Sequence, residues 1–419
     1  MIWKRGEGKR VECIDLEQGR RKKVRRTFLL LNCLFEFYAG ITGATFVLFL
    51  YSKGLNTMEA NLVVAMSLIV SFCMEIPAGA LADSIGYVRT TVLSGILMVV
   101  TNLLFLLCNT MPAFLAAQIA LGTACAFESG TLDAWVIDNT SKEESRTVFI
   151  LKNKGISVMM ILSGLVGGLI ADVYMEGIFL LALIAAVLYI GISLTVMPKV
   201  EMVAKTRNQR KLSEAASGIR KVIKDSVQYC MKDRNVWNVI LFNSVLTFAF
   251  SPVFVFWSPV LHSFDRVNYT VIGLAWVLMR AAMLLGNALL ERWRKRSFSA
   301  LAWISSLCGI SVFALAYLHT FWSLLAGILL FECFLGVIYP LKETVLNTGI
   351  SNENRATVLS FHSMVVSIFN YASMLLMGKI AEIWSMEMTW RIGGIILILV
   401  GAFVILKTDK NKERTHSPE

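Results

Sequence analysis

Apolar runs of about 20 residues, separated by short polar breaks, recur along the whole chain. An α-helix rising about 1.5 Å per residue needs that length to cross about 30 Å of hydrocarbon. The pattern predicts twelve spans, at 28–50, 58–81, 88–108, 112–138, 147–172, 175–197, 236–261, 269–290, 298–318, 321–345, 356–383 and 388–406. One long hydrophilic stretch divides them into two sets of six. The organisation read from this is a tail at 1–27, a six-helix bundle at 28–197, a linker at 198–235, a second bundle at 236–406 and a tail at 407–419. Within the linker, Leu212, Ala215, Ala216, Ile219, Val222, Ile223 and Val227 recur at helical spacing, with Arg220, Lys221 and Lys224 on other faces. That spacing predicts an amphipathic helix along the inner membrane surface or across the cytoplasmic end.

Composition turns the pattern into a membrane assignment. The 419 residues are 56% hydrophobic and only 16% charged, too few polar groups to cover a soluble surface. The fold class is an all-α membrane protein, twelve transmembrane helices in two six-helix halves. A formal net charge of +11 would suit a nucleic-acid binder, but the placement of the bases argues otherwise. Of the 40 Lys and Arg, all but Lys53, Arg266, Arg280, Lys379 and Arg391 share one side if the N-terminus is cytoplasmic. Lys and Arg concentrate in cytoplasmic loops, so both termini are expected inside and nucleic acid is not an expected partner. Residues 1–26 are basic and lack the short apolar stretch of a signal peptide, so they read as a cytoplasmic tail. The eight cysteines form no CxxC pair and sit mainly in apolar runs, which predicts neither disulfides nor a metal site.

The break between the second and third spans reads Gly79-Ala-Leu-Ala-Asp83-Ser-Ile-Gly86-Tyr-Val-Arg89. An acid, a base and two glycines in so short a space predict a charged hinge whose helix ends lock and separate. Gly79 and Gly86 would permit close backbone approach, and a carboxylate beside a helix N-terminus is favourable. The corresponding break in the second half, Gly286 to Arg296, keeps the bases but not the spacing, so gating is expected to be asymmetric. A faint repeat links the halves. Phe127-Glu128 recurs as Phe331-Glu332, and Ser145-Arg146-Thr147-Val148 resembles Asn354-Arg355-Ala356-Thr357-Val358. Duplicated halves flanking a midplane site are a common plan of secondary transporters.

Gly79-x-Leu81-x-Asp83-x-x-Gly86-x-x-Arg89 resembles the signature loop between helices two and three of the major facilitator superfamily. Twelve spans, a long central loop and inside termini extend the resemblance over nearly the whole chain. It implies that Asp83 caps a neighbouring helix end and pairs with a base when the cytoplasmic side is closed. Glu75-Ile-Pro77-Ala-Gly79 and the run from Phe127-Glu128 through Asp133-Ala-Trp135 to Asp138 resemble bacterial drug and metabolite exporters, implying a bacterial inner membrane. Glu75, Gly79, Asp83, Gly86, Arg89, Asp133 and Asp138 are the candidate cytoplasmic gate, the last two with Lys152 or Lys154 as partners. In the fifth span, Ser163-Gly164-Leu-Val-Gly167-Gly168 keeps the glycines usual in proton-coupled antiporters and lacks their proline. The same glycines would also serve plain helix packing. The superfamily's usual fourth-helix arginine falls at Gln118, so coupling to protons must use other ionisable groups.

Glu36, Glu128, Arg280 and Glu332 are those groups. By helical rise, Glu36 and Glu128 lie about 14–15 Å into their spans, Glu332 is similarly deep, and Arg280 is near the middle of the eighth. A charge there is costly unless paired, wet or neutralised. A carboxylate so placed can carry a proton or attract a lipophilic cation, and Arg280 can hold an acid ionised or receive an anionic group. Each of the four can equally be a buried pair that fixes helix packing. Glu128 and Glu332 occupy matching places, one per half, and form the leading pair. His362 reads as a polar contact or a titrating group. Phe127, Trp135, Phe254, Phe256, Trp257, Trp276 and Tyr371 tilt the cargo toward flat amphipathic molecules. The expectation is a monomeric proton-coupled exporter of hydrophobic or amphipathic small molecules, working by alternating access among membrane lipid. It would use no cofactor, the proton gradient being its energy source. A proton-coupled nutrient importer, or a sensor or scaffold of the same fold, are the alternatives. No nucleotide loop, metal cluster or nucleophile–histidine set points to an enzyme.

Overall fold

A computed structural model describes residues 2–197, 234–292, 297–348, 350 and 355–416. Thirteen helices run through them: α1 (Ile2–Gly43), α2 (Phe46–Ser52), α3 (Thr57–Ile85), α4 (Tyr87–Leu107), α5 (Met111–Asn139), α6 (Lys142–Val173), α7 (Gly177–Thr195), α8 (Arg234–His262), α9 (Tyr269–Glu291), α10 (Phe298–Leu315), α11 (Phe321–Thr348), α12 (Arg355–Ile383) and α13 (Met386–His416). Eleven are long and apolar enough to cross a membrane, or up to twelve if the pair α1–α2, bent by 47°, is one span. The chain is thus an all-helical multi-pass membrane protein. The expected linker helix at 212–227 lies outside the described residues.

Lipid reverses the usual rule for which residues face inward. On α7, Leu180, Ile184, Val187 and Leu188 are exposed at helical spacing, while Ala182, Ala185, Ala186, Tyr189 and Ser193 are buried. Bulky aliphatic groups are as content in acyl chains as in protein, so small and polar residues take the helix contacts. Backbone groups must still be satisfied internally. Pro252 in α8 has no N–H to offer the Phe248 carbonyl four residues back, and the Ser373 hydroxyl of α12 donates to that carbonyl at 2.6 Å. The Ser94 hydroxyl likewise donates to the Ala124 carbonyl at 2.8 Å, tying α4 to α5.

The charged hinge is shorter than its sequence implies. Helix α3 runs through Asp83 to Ile85, α4 begins at Tyr87, and Gly86 alone separates them. Gly86 has φ 89° and ψ 158°, a region open in practice only to glycine. Neither glycine of the motif brings backbones together, because a Cβ on Gly79 or on Gly86 would meet nothing within 4 Å. The expected close approach is therefore corrected: Gly86 serves backbone geometry and Gly79 is an ordinary helical position. Gly86→Ala should destabilise the protein by about 1–3 kcal/mol. Gly79→Ala should be neutral or stabilising by up to about 1 kcal/mol, since glycine weakens a helix interior. Thermal unfolding in detergent would read both, and equal effects would refute the distinction.

Packing gathers the described residues into two units. The first holds residues 2–43, 70–163 and 176–197; the second holds 44–69, 164–175 and 234–416. In the second unit, α6 and α9 meet through glycines. A Cβ on Gly168 would lie 2.5 Å from the Tyr269 carbonyl oxygen and 3.0 Å from Gly273 Cα, and one on Gly164 would strike Trp276. The glycines of the fifth span are thus a helix-packing seam. Just beyond them, Asp172 accepts from the backbone N–H groups of Tyr269 and Thr270 at 2.7 and 2.8 Å, and from the Thr270 hydroxyl. The Asn268 side chain accepts from Val271 N–H at 3.0 Å. The orphan donors of the first turn of α9 are closed by these two residues. A second seam joins α3 to α12, where the Tyr371 hydroxyl donates to the Leu68 carbonyl at 2.7 Å.

Candidate functional site

In the second unit the site is built on two helices whose backbones touch. A Cβ on Gly286 of α9 would strike the Cys333 carbonyl of α11, and one on Gly336 would strike the Met283 carbonyl. These glycines therefore serve packing, and the break read from Gly286 starts later because α9 continues to Glu291; residues 293–296 of that break lie outside the described residues. The close approach carries Arg280, less than two turns before Gly286, to Glu332, one turn before Gly336. Arg280 Nη2 lies 3.0 Å from Glu332 Oε1, and the Glu332 side chain is 0% exposed. The guanidinium sits 4.7 Å from the centre of the Trp276 ring, and Trp257 of α8 lies 5.9 Å from Trp276. Phe331 packs edge-on against Phe250 and Phe254 at 5.6 and 5.8 Å. The pair is incomplete, since Glu332 Oε2 and Arg280 Nε are buried with no hydrogen-bond partner among the described residues. Buried polar atoms are normally satisfied, so these two leave hydrogen-bonding capacity unmet at the pair.

The first unit holds a second charged set, contributed by α1, α5 and α6. Lys152 Nζ lies 2.7 Å from Asp133 Oδ1 and 5.5 Å from the centre of the Phe28 ring. Lys152 also acts electrostatically on Glu128, which is 6% exposed, and on Glu36. Glu128 feels both Asp133 and Glu36. Among the described residues, Lys152 is thus the base that acts on all three carboxylates. A proton, a cation or water can meet the remaining negative charge. Glu36, Glu128 and Asp133, read from the sequence as two deep acids and a gate residue, belong to one cluster. Arg280 and Glu332 form the other, a one-to-one pair where the first cluster shares its lysine.

Other candidates fall elsewhere. Asp138 accepts from the Tyr87 hydroxyl at 2.5 Å, tying the end of α5 to the first residue of α4. That contact brings Asp138 to the residue beside Gly86. Asp83 is half-buried, and Glu75 and Arg89 are exposed. Near the same end, Arg20 donates to Asn139 and Arg21 to Glu144, each at 3.2 Å. His362 bonds the buried Asn243 amide at 3.2 Å, the polar contact among its two readings. Gln118 is buried at 3%, with Oε1 unpartnered among the described residues.

Lys152 reads from the sequence as a cytoplasmic base or gate partner, because it belongs to the basic group at 142–154 although the fifth apolar run starts at about 147. Helix α6 in fact begins at Lys142, which puts Lys152 about 15 Å along it. Its signal is its place inside the apolar pattern that opens at about 147.

A family model described as the Major Facilitator Superfamily matches residues 28–307 and 270–419. The "Uncharacterized MFS-type transporter YxaM" of Bacillus subtilis (strain 168) is 20% identical over 380 residues, covering 89% of this chain and 93% of that protein. The solved structure of the nucleoside transporter NupG matches with a TM-score of 0.76 at 14% identity, covering 92% of this chain and 99% of its own. A D-xylose-proton symporter matches with a TM-score of 0.70 at 15% identity, covering 91% and 96%.

Proposed function

Because the chain belongs to the Major Facilitator Superfamily and is a secondary transporter of that type, we propose that it couples proton movement to export of hydrophobic or amphipathic small molecules by alternating access. The observation that carries this reading is the pair of buried acid–base sets, Glu128 with Lys152 in one unit and Glu332 with Arg280 in the other. Glu128, Glu36 and Asp133 share one lysine, and a proton arriving there relieves surplus negative charge. Cargo lies against the half-buried Trp276, beside the Arg280–Glu332 pair. An aromatic wall with two polar anchors suits a flat amphipathic molecule. Tyr87 and Asp138, with Asp83, Gly86 and Arg89 nearby in sequence, act as the gate at the end that bears the N-terminal arm.

Import by proton symport is the second reading. It is favoured by the use of Gly164 and Gly168 for packing, which removes them as a mark of antiport. The structural neighbour named as a D-xylose-proton symporter shares the fold and lies on that side. Vesicles of known orientation, an imposed pH gradient and a fluorescent lipophilic cation distinguish the two. Export predicts accumulation in inside-out vesicles with an acidic lumen, falling to the passive leak in Glu128→Gln. Uptake only by right-side-out vesicles in acidic medium would favour import. If neither the gradient nor Glu128→Gln changes flux, proton coupling is wrong.

A further inference from the structure

The inner arm of α1 carries Arg20, Arg21, Lys22, Lys23, Arg25 and Arg26, and the structure sorts these bases by face. Val24, Thr27 and Phe28 are buried and hold the arm against the bundle. Arg21, Lys22 and Arg25 line a hollow that also contains Glu143 and Glu144, so carboxylates already balance that side. Lys23 and Arg26 line a separate groove of about 420 Å³ whose lining, among the described residues, contains no acid. Neither makes an ion pair among the described residues.

The remaining wall of this groove is apolar. Leu30 continues the Lys23–Arg26 stripe one turn deeper, and Ile192, Thr195 and Val196 of α7 close the opposite side. The Thr195 hydroxyl donates to the Gly191 carbonyl at 2.6 Å and so offers the groove no free donor. Lys23 and Leu30 are seven residues apart, about 10 Å along the helix. Charge at the mouth and aliphatic surface below it match a phospholipid, with phosphate at the rim and chain along the span.

We propose that this groove binds an anionic phospholipid from the leaflet on the side of the chain termini. Its phosphate rests on Lys23 and Arg26, and an acyl chain lies along Leu30, Ile192 and Val196. Two bases without a counter-acid favour an anionic headgroup over a zwitterionic one. The apolar extension favours a lipid over a free anion. Bound there, the lipid steadies the arm whose other face ties Arg20 and Arg21 to Asn139 and Glu144.

Native mass spectrometry of the full-length protein, titrated with phosphatidylglycerol or phosphatidylcholine, tests this. Phosphatidylglycerol should be retained preferentially, and Lys23→Gln with Arg26→Gln should weaken it by about 30-fold. Lys22→Gln with Arg25→Gln removes the same charge from the other face and should leave binding intact. The swap of Lys23→Arg with Arg26→Lys should preserve it and report on folding. Leu30→Gln should weaken the lipid while leaving inorganic phosphate binding unchanged. Equal retention of both lipids, or equal loss in the two double variants, would overturn the site. Displacement of the lipid by inorganic phosphate alone would make it a free-anion site and overturn the lipid assignment.

Discussion

Glu332→Gln is expected to abolish transport and destabilise the protein by about 3–5 kcal/mol, the cost of stranding a buried charge without its partner. Arg280 would remain beside Trp276 with its counter-ion gone. A cation–π contact contributes about 0.5–2 kcal/mol, so the ring cannot replace the carboxylate. The reverse change should be milder. A carboxylate left without its base becomes neutral by binding a proton, whereas a guanidinium has no neutral form to fall back on. Arg280→Gln should therefore lower the unfolding temperature less than Glu332→Gln. The double variant, two amides able to bond each other, should recover most of the stability and none of the transport. Differential scanning fluorimetry with parallel flux assays reads all three. Equal losses from the two single variants would refute the asymmetry. Transport by the double variant would remove both residues from the cargo site.

The spans were legible because bilayer thickness imposes a length on every apolar run, and length survives in the sequence without any knowledge of contacts. What fell outside that constraint was harder to read. Helix α1 starts at Ile2, far before its apolar run, because Arg, Lys and Glu sustain a helix as well as apolar residues do. Asp83 to Ile85 remain helical although Asp, Ser and Ile are weaker helix formers, and Gly86 alone turns the chain. The repeat of Phe127-Glu128 and Phe331-Glu332 correctly marked two buried acids, at 6% and 0% exposure. It could not mark their bases, because these do not follow the repeat: Lys152 comes from the fifth span and Arg280 from the eighth. Partners such as Gly286 and Cys333 are joined by tertiary packing that no local pattern encodes.

Gly168→Leu is expected to shift the transporter toward conformations in which α6 and α9 part. A side chain at Gly168 meets the Tyr269 carbonyl and Gly273 Cα, both backbone atoms that no rotamer change can move aside. Overpacking costs about 1–3 kcal/mol. A protein that can open the seam escapes this cost, which alters the closed-to-open ratio by about 5- to 150-fold. Opposing it are the bonds from Asp172 to the first turn of α9, which are worth least once the helices begin to separate. Asp172→Ala removes them without adding bulk and should shift the equilibrium in the same direction. Spin labels at Val173 on α6 and Leu274 on α9, exposed by 89% and 46%, read the separation in a background without native cysteines. A second, longer distance should appear with Gly168→Leu and grow when Asp172→Ala is added. If Gly168→Leu lowers the unfolding temperature while the distance distribution stays as in wild type, the seam is a fixed joint, and the moving contact of alternating access lies elsewhere.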